Sequence, residues 1–281
     1  MSADREAREA LEAFAPPGSA DLKRLAGGYI NPTWRAGPLV LQRLNRAVFS
    51  DPEAVMRNVL AAAARIGAPR FVRTLDGAAW HTAADASVWR AYAFVEGRTV
   101  RRATAPDRAE VAAHAFGSFL RQLSKPAVPL EETLPGFHDT MARLGQLEAA
   151  AARDPFGRVC GVRAELDRIL GEEELAGLLG ARLRTGTIPR RIAHNDARIA
   201  NVVFDPVAHT ARCVIDLDTV MPGTPLHDFG DLVRSMVTGF PDEAPDPSLV
   251  QVREEYFAAV VRGFLGGMAG LLTPGETALL V

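Results

Sequence analysis

The sequence predicts an α+β protein of two lobes, a small β-rich N-terminal lobe and a larger α-helical C-terminal lobe with a short hairpin embedded in it. Three patterns carry that expectation. Short apolar runs alternate with Gly or Asp turns up to Gly97, apolar side chains recur at helical spacing from about Pro106 onward, and two strand-like segments interrupt the helices between Ile192 and Asp231. The change of pattern divides the chain into 1–96 and 97–281.

Taken in order, Met1 to Phe14 mixes Asp4, Arg5, Glu6, Arg8, Glu9 and Glu12 with alanines. It lacks the apolar stretch of a secretory signal, which predicts a cytoplasmic protein. Gly27-Gly28-Tyr29 marks a turn and Leu39-Val40-Leu41 a strand. A helix opens at Ser50-Asp51-Pro52-Glu53, where a capping residue precedes a first-turn proline, and continues through Val55, Val59 and Leu60 to a break at Gly67-Ala68-Pro69. Aromatic and β-branched residues from Ser87 to Val95 predict a further strand, ended by Glu96-Gly97. Val111, Ala115, Phe119 and Leu123 then form an apolar helical stripe at steps of four. Asn201 to Phe204 and Arg212 to Ile215 form the hairpin, turned at Asp205-Pro206. Near the end, Thr273-Pro274-Gly275-Glu276 has a helix-opening pattern with only Thr277 to Val281 after it, so the C-lobe is expected to stop before it is complete.

Bulk properties exclude several functions. A chain of 281 residues that is 48% hydrophobic can bury a large core. A formal charge of -2 and a pI near 6.3 supply no basic field for nucleic acid or an anionic membrane, so any phosphate must be held locally. Cys160 and Cys213 are too few and too far apart for a zinc motif or a disulfide framework and are expected as reduced packing residues. The apolar stretch from Phe257 to Leu272 is interrupted by Arg262 and several glycines, which argues against a membrane span.

The chemistry is concentrated in His194-Asn195-Asp196-Ala197-Arg198-Ile199-Ala200-Asn201. A His, an Asp two residues on and an Asn five beyond that Asp is the spacing of a kinase catalytic loop. A carboxylate must stand beside the acceptor hydroxyl while an amide oxygen one turn away holds a metal on the phosphates, which makes Asp196 the expected base and Asn201 a metal ligand. Asp216, at the end of the apolar strand Cys213-Val214-Ile215, is the expected second ligand for Mg²⁺. Asp218 shares its strand face if the extended conformation continues, and is the runner-up. Arg198 is expected near the transferring phosphoryl group, and His194 is expected to pack and hold the loop.

Upstream, Gly27, Gly28 and Asn31 lie in a segment suited to covering phosphates, since glycine lets backbone N–H groups approach anionic oxygens. The strand that follows offers Arg43 or, on its opposite face, Gln42 to grip the phosphates. Glu53 is a partner for either Arg43 or Arg57. Tyr92 to Val95 is the expected hinge, presenting backbone groups to an adenine edge. Asp228 and Asp231 are expected to brace loops and start a helix, with a place for Asp228 near the acceptor as the sharper alternative.

At these residues the chain resembles the aminoglycoside phosphotransferase and choline kinase superfamily, and within it the N-acetylhexosamine 1-kinase group. The match runs through Gly27-Gly28-Tyr29-Ile30-Asn31, Leu39-Val40-Leu41-Gln42-Arg43-Leu44-Asn45, Trp89-Arg90-Ala91-Tyr92 and Phe137-His138-Asp139-Thr140 to Arg234, and includes Val214-Ile215-Asp216-Leu217-Asp218-Thr219-Val220-Met221-Pro222-Gly223. The resemblance implies a protein-kinase-like fold, ATP with Mg²⁺, Asp196 as base, and Asn201 with Asp216 as metal ligands. It also implies phosphorylation of the anomeric hydroxyl of an amino sugar. Arg198 stands where such proteins usually carry Lys. Two other chemistries fit parts of the pattern. One is a metal-dependent phosphohydrolase built on His194, Asp196, Asp216, His227 and Asp228, and the other is a nucleotide-binding protein that transfers nothing.

Overall fold

The computed structural model describes residues 3–16, 18, 21–25, 30–67, 69–124, 128–238 and 250–280. After the first helix, α1 (Ala3–Leu11), come β1 (Leu22–Arg24), β2 (Thr33–Ala36) and β3 (Leu39–Arg43), then α2 (Pro52–Ile66), then β4 (Phe71–Val72), β5 (His81–Thr82) and β6 (Val88–Ala93). The strands form one antiparallel sheet in the order β1-β2-β3-β6-β4, with β5 also paired to β6.

Strand side chains alternate between faces, so each strand divides its residues between two environments. Leu41 of β3 and Trp89 and Ala91 of β6 face α1, where Ala7, Ala10, Leu11 and Phe14 cover them together with Trp34. The two indole rings lie 5.6 Å apart. The charged residues of the first segment serve this packing, Asp4 accepting from Trp34 Nε1 at 2.8 Å and Glu6 pairing with Arg43 at 2.7 Å. The α2 helix starts and stops where its punctuation predicts: Asp51 accepts from the Ala54 N–H at 2.9 Å, Pro52 is the first residue, and Gly67 ends the helix at φ 75°.

Helix α3 (Pro106–Leu123) opens the second half. It is followed by α4 (Thr140–Arg153), α5 (Arg163–Leu170) and α6 (Glu173–Arg184). Next come β7 (Arg191–Ala193), the hairpin β8 (Val202–Phe204) and β9 (Ala211–Val214), and β10 (Met221–Gly223). The helices α7 (Pro225–Val237), α8 (Glu254–Met268) and α9 (Pro274–Thr277) complete it, α9 carrying the capping box of Thr273 and Glu276 that its sequence predicts. The α3 stripe needs correction. Phe119 and Leu123 are buried, but Val111 and Ala115 are half-buried at its edge, and the packed face runs through Ala109, Ala113, Phe116, Gly117 and Leu120. Beside it, α8 meets α3 backbone to backbone at Glu110, His114 and Gly117: a Cβ on Gly263 would lie 2.2 Å from the Glu110 carbonyl oxygen and one on Gly267 2.3 Å from that of His114.

The chain divides into two compact units. One comprises chiefly Met1–Thr133 and Arg191–Leu271, and the other Leu134–Arg190 and Leu272–Leu279. Among the described residues no helix is long and apolar enough to cross a membrane.

Candidate active site

The antiparallel pair β7–β10, with Ala193 opposite Met221, carries the loop that begins at His194. Asp228, buried on the first turn of α7, accepts from the backbone N–H groups of His194 and Asn195 at 2.7 Å each and fastens the loop to the helix. Asn195, at φ 63°, donates through Nδ2 to the Thr219 carbonyl at 2.9 Å, and the Thr219 hydroxyl donates to the His194 carbonyl at 2.7 Å. His194 lies between Phe116 and Phe119, with ring centroids 5.2 and 5.4 Å away. Its Nε2 is 3.1 Å from the Ile215 carbonyl, and its Nδ1 receives the Asp196 N–H at 3.3 Å. A carbonyl only accepts and an amide N–H only donates, so the ring is the neutral Nε2–H tautomer. Burial lowers its pKa, against the opposing pull of the Asp196 carboxylate.

This bracing presents Asp196 to solvent in a fixed frame. Arg198 Nε lies 2.7 Å from Asp196 Oδ1, and Nη2 donates to Oδ2 at 3.0 Å. Asn201 Nδ2 donates to the same Oδ2 at 3.0 Å and to the Asp196 carbonyl at 2.9 Å. The hairpin then brings the next carboxylate alongside: Val202 is opposite Val214, and the Ile215 N–H donates to the Asn201 carbonyl at 2.9 Å, so Asp216 follows immediately. Among the described residues the Asp216 carboxylate takes no hydrogen bond or ion pair. Asp216 is exposed at the surface of the site, yet loss of hydration among its neighbours, then the carboxylates of Asp218 and Asp196, push its pKa up to about 7 against the pull of Arg90 and Arg198. A carboxylate on which two neighbouring carboxylates and lost hydration outweigh the pull of the Arg90 and Arg198 guanidinium groups is a setting that a further cation relieves. With Asn201 Nδ2 turned to Asp196, its amide oxygen points elsewhere, and an amide oxygen with a carboxylate is the hard donor set that suits Mg²⁺.

A histidine-rich metal centre finds no such support. Among the described residues no group of three or more His, Cys, Asp and Glu is arranged to hold a metal. His194 and Asp228, which a phosphohydrolase would need as ligands, use their polar atoms on the backbone.

Of the remaining expected residues, Gly27 and Gly28 lie outside the described residues. Asn31 is buried, with Nδ2 donating to Asp218 Oδ2 and Oδ1 accepting from the Asn45 N–H at 2.8 Å. Arg43 is not brought to this group. It lies on the α1 face of the sheet, paired with Glu6 and, at 3.6 Å, with Asp85 rather than with Glu53, while Gln42 faces the site side. Arg57 pairs with Glu131 at 2.8 Å. Asp218 is not the ligand in reserve that an extended strand would make it: the chain turns at Asp216 (φ 63°, ψ 62°) into a 3-10 turn, Leu217–Thr219, which sends Asp218 into the interior against Arg90. The Tyr92 ring packs on Phe71 at 5.4 Å, and burial raises its hydroxyl pKa. At Val95, among the described residues, the backbone N–H and carbonyl take part in no hydrogen bond.

No motif spacing singles out Arg90 as part of the site. The signal was present all the same: a cation sits mid-strand in Val88-Trp89-Arg90-Ala91-Tyr92, in alternation with Trp89, and a charge so placed needs a buried partner. Burial opposes its ionisation, and the Asp218 carboxylate overrides that and holds its pKa above the ordinary value.

The fold built around this loop has solved counterparts. A spectinomycin phosphotransferase, solved with ADP and spectinomycin, superimposes with a TM-score of 0.60 at 12% identity, covering 100% of this chain and 84% of that one. An aminoglycoside phosphotransferase from Streptomyces rimosus gives 0.58 at 19% identity, covering 100% and 97%. A choline/ethanolamine kinase family protein from Mesorhizobium loti gives 0.56 at 21%, covering 99% and 80%. At such identities the likeness establishes the fold, the α+β kinase-like arrangement that the sequence predicts. Sequence kinship comes from a match to the APH phosphotransferase enzyme family over residues 21–267, which takes in the sheet, the braced loop, the hairpin and α7. Over nearly its whole length, then, the chain belongs to the APH phosphotransferase enzyme family.

Proposed function

We propose that the protein is a kinase that transfers the γ-phosphoryl group of ATP, with Mg²⁺, to a hydroxyl of a small sugar, specifically the anomeric hydroxyl of an N-acetylhexosamine. The observation that carries the reading is the joining of Asp196 to Asn201 by a hydrogen bond of 3.0 Å, with the Ile215 N–H bonded to the Asn201 carbonyl at 2.9 Å and Asp216 next in the chain. In this reading Asp196 accepts the proton of the attacking hydroxyl. The Asn201 amide oxygen and the Asp216 carboxylate hold Mg²⁺, which when bound offsets charge on the phosphates. Arg198, already beside Asp196, stabilises charge on any phosphoryl group that approaches that carboxylate. The unengaged backbone of Val95 is suited to an adenine edge, beside Tyr92 on the same strand end, with Gly27 and Gly28 over the phosphates. Residues 1–96 thus serve the nucleotide and 97–281 the chemistry and the acceptor. Arg43 has no part, because its guanidinium is held by Glu6 and Asp85.

The N-acetylhexosamine follows from the motif resemblance. A second acceptor class, the aminoglycosides, is favoured by the two phosphotransferase structures described above. The deciding experiment incubates the protein with Mg·ATP and a panel of hexoses, N-acetylhexosamines, aminoglycosides and choline, and follows ADP. Turnover on an N-acetylhexosamine is expected, with kcat lowered about 10²- to 10⁴-fold in Asp196→Asn. Full turnover in that variant would remove Asp196 as the base, and turnover on aminoglycosides alone would replace the sugar.

A further inference from the structure

A ring of buried polar side chains lies next to the candidate site. Arg90 donates from Nε and Nη2 to Gln42 Oε1, directly across the β3–β6 pair, at 2.9 and 2.5 Å. Gln42 Nε2 donates to Thr33 Oγ1 at 3.1 Å, and that hydroxyl donates to the Asn31 carbonyl at 2.8 Å. Asn31 Nδ2 donates to Asp218 Oδ2, and Arg90 Nη1 closes the circuit on Asp218 Oδ1. No member is more than 9% exposed. Such a network is stable only when every link is made, and here each one is. Its direction is also set. The Asn45 N–H donates to Asn31 Oδ1, which leaves Asn31 Nδ2 to face Asp218, so both Asp218 oxygens must accept.

The ring ties together parts of the chain that the proposed function uses separately. Asn31 adjoins the glycine segment assigned to the phosphates, Arg90 is on the strand that leads to the hinge, and Asp218 stands two residues past Asp216. It also accounts for the idle cation of β3: the buried charge at the metal loop comes from β6.

We propose that Arg90 and Asp218 are positioning residues whose ring holds the Asn31 segment and the Asp216 loop at a set separation, so that the phosphate-and-metal end of the nucleotide is gripped from both. This rests on the kinase reading. It requires that breaking the ring weakens that end of the nucleotide and leaves recognition of the base untouched.

The test is calorimetric titration with Mg·ADP and, separately, with adenosine, on protein shown by circular dichroism to be folded. Asp218→Asn keeps the bond from Arg90 but turns an amide N–H toward Asn31 Nδ2, cutting the ring there. Mg·ADP is expected to bind about tenfold more weakly, as when a group that orients a metal ligand is lost, with adenosine affinity unchanged. Asn31→Ala is expected to match it. The double variant should be no weaker than either single change, since both cut one link. Thr33→Val breaks the circuit on its far side and substitutes if Asp218→Asn does not fold. Unchanged Mg·ADP affinity in folded variants, equal losses for both ligands, or additive losses overturn the inference. A wild-type protein that binds neither ligand overturns the kinase reading itself and this inference with it, which is a different result from a binding wild type with unaffected variants.

Discussion

Asp228 illustrates how a single side chain determines the geometry of a loop it does not belong to. Its two oxygens satisfy the N–H groups of His194 and Asn195 in a fully buried setting, so removing them leaves two orphaned donors. At about 1–3 kcal/mol for each unsatisfied buried group, Asp228→Ala should lose at least ~2 kcal/mol in urea unfolding, with kcat falling as Asp196 loses its frame. Asp228→Asn should lie between, because a single amide oxygen serves one donor well. His194 supplies a pH dependence. Its folded pKa is lowered, so the stability gained by keeping the ring neutral is complete above the ordinary histidine value and is lost as pH falls below it. Between pH 7 and pH 5 this group should therefore lower the unfolding free energy obtained from urea titration by at most about 1.4 kcal/mol per pH unit. In His194→Gln that part of the slope should vanish, and an unchanged slope would remove the ring as its source.

At the scale of elements, the α3–α8 contact depends on what is missing from its surface. Gly to Ala within a helix ordinarily stabilises by about 1 kcal/mol. At Gly267 the new Cβ would meet the His114 carbonyl oxygen at 2.3 Å and the Ser118 nitrogen at 2.7 Å, and backbone atoms cannot rotate aside. Gly263→Ala and Gly267→Ala should each cost about 2–3 kcal/mol and lower Tm by several degrees. Gly266→Ala is the internal control, since its Cβ would meet only the edge of His114 at an ordinary 3.5 Å. Equal melting of all three variants would contradict the close approach. The same contact shows why apolar periodicity locates the packed face of α3 only in part. Bulky apolar residues at steps of four single out Phe119 and Leu123, whereas α8 meets α3 at the backbone of Glu110, His114, Gly117 and Ser118, which carry little hydrophobic signal.

Across the whole molecule, packing is uneven in a way that bears on motion. Helices α3 and α8 bury much of their surface, while α4 and α6 contain no buried residue. Local opening is easiest where few apolar contacts are lost, so amides of α4 and α6 should exchange with deuterium much faster than those of α3 and α8 in the native protein. Comparable protection in all four would show that exposure does not govern opening here. Every residue brought together at the candidate site lies in the larger unit, so the proposed chemistry belongs with its stable helices.

Much of the fold and part of the site could be read from the chain alone, because they depend on neighbours in sequence. Asp51-Pro52 starts α2, Gly67 ends it, and Asp205-Pro206 turns the hairpin. The interval from Asp196 to Asn201 fits within a single loop, which lets a linear pattern specify a contact. Other features had no local signature. Alternation along β3 says that Gln42 and Arg43 point opposite ways, yet which of them meets α1 depends on a helix from the start of the chain. Whether Asp218 joins Asp216 or turns inward depends on Arg90, 128 positions away, and on Asn31, 187 away. A buried charge takes whatever partner folding delivers, because leaving it unpaired costs more than almost any local preference supplies. Tertiary structure therefore decided which acidic and basic groups face the site and which hold it together.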